Sequence, residues 1–146
     1  MIHLQNTKVV RLYPRSVATN ATASVTCDCL GFSHALVIVN GGVASSNMTT
    51  LALSDGTASN SFTTISTFNG GTATSTSVGF VIPTADTSNG VSVMMSVDLR
   101  KRERYLKLAA ENTSIAHVIG AEIILSRAQI APDDTTERGV NVYVAG

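Results

Sequence analysis

Val91-Ser92-Val93-Met94-Met95-Ser96-Val97-Asp98-Leu99 reads as a strand with one side on a core. Successive side chains of an extended chain point to opposite faces. Val91, Val93, Met95, Val97 and Leu99 therefore share one face, and Ser92, Met94, Ser96 and Asp98 the other. The same period of two recurs in Tyr105 to Leu108, where Leu106 and Leu108 alternate with Tyr105 and Lys107, and in Val140, Val142 and Val144, separated by Asn141 and Tyr143. Ala35-Leu36-Val37-Ile38-Val39 is apolar throughout, the pattern of a strand covered on both faces. Val9 to Tyr13, Ala23 to Cys29, Met48 to Leu53, Ser61 to Phe68 and Val78 to Ile82 complete the strand set, with Ile115 to Ser126. In that last stretch Ala116, Ile119, Ile123 and Ile130 recur near helical spacing, but Gly120 and the many β-branched residues favour a strand.

Turn residues punctuate these runs: Tyr13-Pro14, Asn40-Gly41-Gly42, Ser54-Asp55-Gly56, Asn69-Gly70-Gly71, Asn89-Gly90 and Ala131-Pro132-Asp133-Asp134. Asn-Gly and Asp-Gly tolerate the positive φ of tight turns. Gly70 to Ser77 is low in complexity and reads as a loop. Short strands at this spacing predict an all-β fold, an antiparallel sandwich or jelly roll of about eight strands. No internal repeat or composition break divides the chain, so residues 1–146 are expected to form one domain. Residues 1–13 are expected to serve as an extended arm that adds a strand to a neighbour.

The composition narrows the function. Charged residues make up 14% of the 146 residues, against roughly 25% in an average soluble protein. Their place is taken by 18 Thr and 16 Ser. Net charge is zero, so no global basic field exists for nucleic acid or an anionic membrane. No apolar run approaches the ~20 residues that span a bilayer. Met1 to Asn6 lack the basic start of a secretory signal, which points to synthesis and folding in a cytoplasm. No Lys or Arg occurs between Arg15 and Arg100, and from residue 16 to 97 the formal charges are Asp28, Asp55 and Asp86. Interface cores lose charge first, so this stretch predicts a surface covered by other subunits; the competing reading is a neutral surface solvated by hydroxyls and amides.

Charge gathers instead in Arg100-Lys101-Arg102-Glu103-Arg104-Tyr105-Leu106-Lys107. As a loop entering a strand, this tip could dock on an acidic protein surface, bind a phosphate or sugar acid, or simply block edge pairing. One aromatic beside the charges is too few for a single-strand nucleic-acid platform.

Catalytic patterns are missing. His3, His34 and His117 are scattered and form no His-x-His or His-Glu-x-x-His spacing. Neither a Gly-x-Ser-x-Gly elbow nor a phosphate-binding glycine loop occurs. Glu122, on an apolar strand, is expected to face solvent or a partner's arginine. His34 reads as a satisfied structural residue. Cys27 and Cys29, two apart, are expected to enter the core together beside Val25; a disulfide between them would be strained, and zinc would need two further ligands. No enzyme activity, metal or cofactor is expected.

Cys29-Leu30-Gly31-Phe32-Ser33-His34-Ala35-Leu36-Val37-Ile38-Val39-Asn40-Gly41-Gly42 carries a Leu-Gly-aromatic step, then an apolar strand ending in a glycine turn. A Ser/Asp-rich hairpin follows at Leu51 to Gly56, and Val97-Asp98-Leu99-Arg100 leads to Arg104-Tyr105-Leu106-Lys107-Leu108. This order resembles small β-sandwich virion proteins of tailed bacteriophages, over roughly residues 25 to 130. The resemblance implies a structural virion protein, most like the head decoration or cement proteins that stabilise capsids. Its implied partners are the major capsid protein and further copies of itself, as a trimer. A tail or fibre component and a carbohydrate or host-surface binding module stay open, although the absence of Trp, with four Phe and three Tyr, disfavours glycan stacking. No catalytic or ligand residues carry over from the resemblance. The residues expected to make contacts are Arg11, Tyr13, Met94, Arg100, Arg102, Arg104, Tyr105 and Tyr143, since Tyr and Arg anchor interfaces and Met packs adaptably.

Overall fold

The computed structural model describes residues 7–42, 48–73, 76–83, 90–112 and 116–127. Its elements are β1 (Lys8–Val17), β2 (Ala21–Asp28), β3 (His34–Gly41), β4 (Thr50–Ala58), β5 (Ser61–Gly71), the two-residue β6 (Phe80–Val81), β7 (Val91–Asp98), a single 3₁₀ turn (Leu99–Lys101), β8 (Tyr105–Asn112) and β9 (His117–Ser126). Val, Ile and Thr fill these segments, and their branched side chains favour the pleated backbone. The Ile115–Ser126 stretch is accordingly a strand from His117 onward.

Two sheets face each other, one in the order β1-β9-β3-β7 and the other β2-β8-β4-β5-β6. Among the eight long strands, the first pairs with the last, the second with the second-last, the third with the sixth and the fourth with the fifth, always antiparallel. That nested pairing is a jelly roll. Between the sheets lie Val37, Ile119, Ile123 and Leu125 from one layer and Leu51, Leu53, Leu106 and Leu108 from the other, all fully buried. The alternation read in Val91 to Leu99 holds: Val91, Met95, Val97 and Leu99 are buried, while Ser92, Met94 and Ser96 are exposed.

Several turn signals turn out to be irregularities inside strands. Tyr13-Pro14 lies in β1, where the register with β9 shifts between Leu12 and Arg15. Ser54-Asp55-Gly56 lies inside β4, beside a shift between Asp55 and Ala58; a Cβ at residue 56 would collide with the Ser61 carbonyl oxygen. The actual β4–β5 turn is Ser59-Asn60. Asn69-Gly70-Gly71 ends β5 rather than opening a loop, because Gly70 and Gly71 pair with Leu51 and Thr50. Glycine serves bulges as readily as turns, so sequence alone does not separate the two. Within the stretch 1–13 expected to serve as an arm, Lys8 to Leu12 pair instead with β9 of the same chain. Residues 1–6, the Val140–Val144 pattern and Tyr143 lie outside the described residues.

His117 is the buried polar group that composition did not single out. It is 1% exposed, and neither ring nitrogen has a hydrogen-bond partner among the described residues. Gly41 leaves it room, since a Cβ there would stand 3.0 Å from its Nε2. A buried polar group without a partner costs roughly 1–3 kcal/mol. His117→Leu is therefore expected to raise unfolding stability by on the order of 1 kcal/mol, read from denaturant midpoints at neutral pH.

Candidate functional site

The outer faces of the two sheets differ in chemistry. On the five-stranded sheet, Thr22, Ser24 and Thr26 of β2 are exposed, Ser54 donates to Thr64 at 3.4 Å, and the Lys107 ammonium covers the Phe62 ring at 5.6 Å from its centroid. The four-stranded sheet presents aliphatic rows instead. Val9, Ile124, Leu36 and Ser96 stand side by side across β1, β9, β3 and β7, as do Arg11, Glu122, Ile38 and Met94. Met94 is 70% exposed, Tyr13 66% and Val118 48%. The apolar run in β3 now has a physical meaning: Ala35, Val37 and Val39 fill the core, while Leu36 and Ile38 lie half-buried on the outer face, beside Ile124, Ser96, Glu122 and Met94 of the neighbouring strands.

The charges on this face cancel. Arg11 Nε donates to Glu122 Oε1 at 2.9 Å, so the arginine expected from a partner comes from strand β1 of the same chain. His34 is held by the hydroxyls of Ser96 at 2.9 Å and Ser126 at 3.2 Å, which makes it the satisfied structural residue expected. Beside the Arg11–Glu122 pair lies a groove of about 490 Å³, lined by Tyr13, Pro14, Asn40, Gly42, Val118 and Gly120 among others. The bulge in β1 lets Pro14 settle over Gly120, where a Cβ would approach the ring to 3.0 Å.

Arg11, Tyr13 and Met94 are thus brought to one face, whereas Arg100, Arg102, Arg104 and Tyr105 sit at an end of the sandwich where the chain crosses from β7 to β8. This tip is not a free cationic patch. Arg100 donates to both Asp98 oxygens at 2.9 and 2.8 Å, Arg104 to both Asp28 oxygens at 3.0 and 2.6 Å, and Arg102 lies 3.8 Å from Asp55. With Lys101 and Glu103 the cluster holds four cations and four carboxylates, and no net charge. The Arg104 guanidinium also stacks 5.0 Å above the Tyr105 ring. Asp28 and Asp55, distant in sequence, and the adjacent Asp98 answer the run of basic residues and clamp the sheet-to-sheet crossing.

The Arg104 hydrogen bonds hold the Asp28 carboxyl below its ordinary range, and Arg100 does the same for Asp98. A lowered folded-state value means that Asp28 contributes stability above the unfolded carboxyl value of about 3.9 and loses it as pH falls through the folded one. The Arg104–Asp28 pair is partly exposed, so its contribution is small, ~1 kcal/mol or less. Asp28→Asn is expected to lower the unfolding midpoint slightly at pH 7. That gap should close as acid titrates the parent below about pH 4.

Among the described residues no group of three or more His, Cys, Asp or Glu side chains could hold a metal, and no helix is long and apolar enough to cross a membrane. The face and groove can bury area and accept or donate hydrogen bonds. No protein-family model matches the chain, and no curated protein matches its sequence.

Proposed function

We propose that the chain is a structural virion protein, a capsid decoration subunit that stabilises capsomer junctions by laying the outer face of the four-stranded sheet on its neighbours. The observation that carries this reading is strand β3. Its sequence is that of a strand covered on both sides, and among the described residues Leu36 and Ile38 stay half-buried on the outer face. A face that is aliphatic, neutral and rimmed by hydroxyls suits burial against protein, where charged residues are depleted and aromatic residues and Met enriched. An interface of about 1,600 Å² suffices for specific binding, and several subunits acting together multiply the effect. Jelly rolls serve in both viral capsid and lectin domains, which admits this role without assigning it. The partners are the major capsid protein and further copies of the chain, in a trimer.

The test is attachment. The purified chain should form a small oligomer, bind expanded shells of the cognate capsid protein and raise the temperature at which they disrupt. A monomer that ignores such shells would remove the proposal. The groove favours a second reading, a carbohydrate or host-surface binding module. An exposed Tyr13 ring beside Arg11, Glu122 and Asn40 offers a stacking surface with donors and acceptors for sugar hydroxyls. Saturable binding on a glycan array, lost in Tyr13→Ala, would favour it.

A further inference from the structure

The assembly reading leaves the thiols of Cys27 and Cys29 unused. Both are free, at 3% and 5% exposure, and their sulfurs are 3.5 Å apart on the core side of β2. They lie at the end of the strand that abuts the tip, where Asp28 pairs with Tyr105: β2 stops at Asp28, and Leu30 and Gly31 form a turn with Gly31 at φ 86°. Asp28 stands between them with its carboxylate turned outward, accepting from Arg104 and from the Leu30 N–H at 3.0 Å.

We propose that Cys27 and Cys29 are an oxidation-sensing dithiol, which a hydroperoxide converts to a disulfide that pulls Asp28 away from Arg104. Closing the bond requires the sulfurs to move together by about 1.5 Å, to the 2.03–2.05 Å of a disulfide. Cys29 lies beyond the end of β2, so the turn at Leu30 and Gly31 can absorb that movement. Leu30, the residue after Cys29, is 66% exposed, so the turn beside the thiols faces the solvent from which the hydroperoxide comes.

The two sulfurs divide the work. The Cys29 thiol has two acceptors in reach, the Cys27 sulfur at 3.5 Å and the Cys27 carbonyl oxygen at 3.9 Å, and its single proton serves the sulfur once Cys27 ionises. That hydrogen bond lowers the Cys27 thiol below its ordinary value, aided by the Lys8 charge, while the same contact and burial raise Cys29. The Cys27 thiolate attacks one peroxide oxygen; the O–O bond breaks, and the departing hydroxide takes up a proton as water. Cys27 is left as a sulfenic acid. The Cys29 sulfur then attacks the Cys27 sulfur, the S–O bond breaks, and the oxygen leaves as a second water with the Cys29 proton. Two thiols lose two electrons, and one peroxide becomes two waters. A ring closed across one intervening residue is strained, and strained disulfides are readily reduced, so thiol reductants reset the device.

Three readouts on the intact protein treated with hydrogen peroxide test this. The parent should lose two hydrogens by mass, with the disulfide mapped within one molecule and reversed by dithiothreitol. In that oxidised form, hydrogen exchange at the Leu30 amide should accelerate at least about tenfold, because its acceptor has moved. With dimedone present during the treatment, the parent should be labelled at Cys27 at least about ten times more than at Cys29. A parent that keeps all its hydrogens, a disulfide found only between molecules, or unaltered Leu30 exchange in the oxidised protein would each overturn the proposal. All three readouts use the parent, so a poorly folding substitution does not blunt them.

Discussion

Tyr13→Ala combined with Met94→Asp is expected to weaken attachment to expanded capsid shells at least 100-fold, about 2.7 kcal/mol, while leaving the unfolding midpoint nearly where it was. The two residues sit on one sheet face, on strands β1 and β7, and both are largely exposed. Exposed substitutions of this kind usually move stability by no more than about 0.5 kcal/mol. In a closed interface the same changes act differently. Loss of an aromatic anchor commonly costs ~2 kcal/mol or more, and an aspartate facing aliphatic Ile38 and Leu36 must be desolvated without a partner. Sedimentation of shells with the variant, beside a denaturant titration of the free chain, separates the two effects. Undiminished binding would mean that this face is turned to solvent in the assembled particle.

Leu108→Ala is expected to lower unfolding stability by roughly 3–5 kcal/mol, the largest effect of any single truncation considered. Leu108 is fully buried in β8, between Val25 of β2 and Leu53 of β4, and it faces the other sheet across the core. Removing three methylene-sized groups there forfeits their transfer energy and leaves a cavity that two hydrogen-bonded neighbours prevent from collapsing. In a domain of this size each kcal/mol shifts the melting midpoint by about 2–4 °C, so a fall of about 6–20 °C is the measurable outcome. A fall of under about 2 °C would show that the sheets do not pack through this leucine.

The strands were legible because burial on one side writes a period of two into the sequence, as in Val91 to Leu99, and the jelly roll was within reach of that reading. Positions of bulges were not, since Pro14 and Gly56 carry the same signals inside β1 and β4 as they would in turns. The candidate face was half legible. Tyr13 and Met94 stood out as apolar residues out of phase with the core, but their shared sheet depends on β9 and β3 running between β1 and β7. The tip misled for a related reason. Arg104 reads as free charge until Asp28, 76 residues away, is brought beside it. His117 was legible by the same period of two, being in phase with Ile119, Ile123 and Leu125, but its missing partners were not.

The nested pairing carries a consequence for biosynthesis. Arg11 meets Glu122, 111 positions further on, so β1 stays without its partner until β9 has left the ribosome. The tight turn between β4 and β5 can close early, and the remaining ribbons can wrap outward from it in order of increasing loop length. Until β9 arrives, the apolar strand β3 waits with a bare edge, and it is in that interval that a nascent chain of this design is most in need of a chaperone.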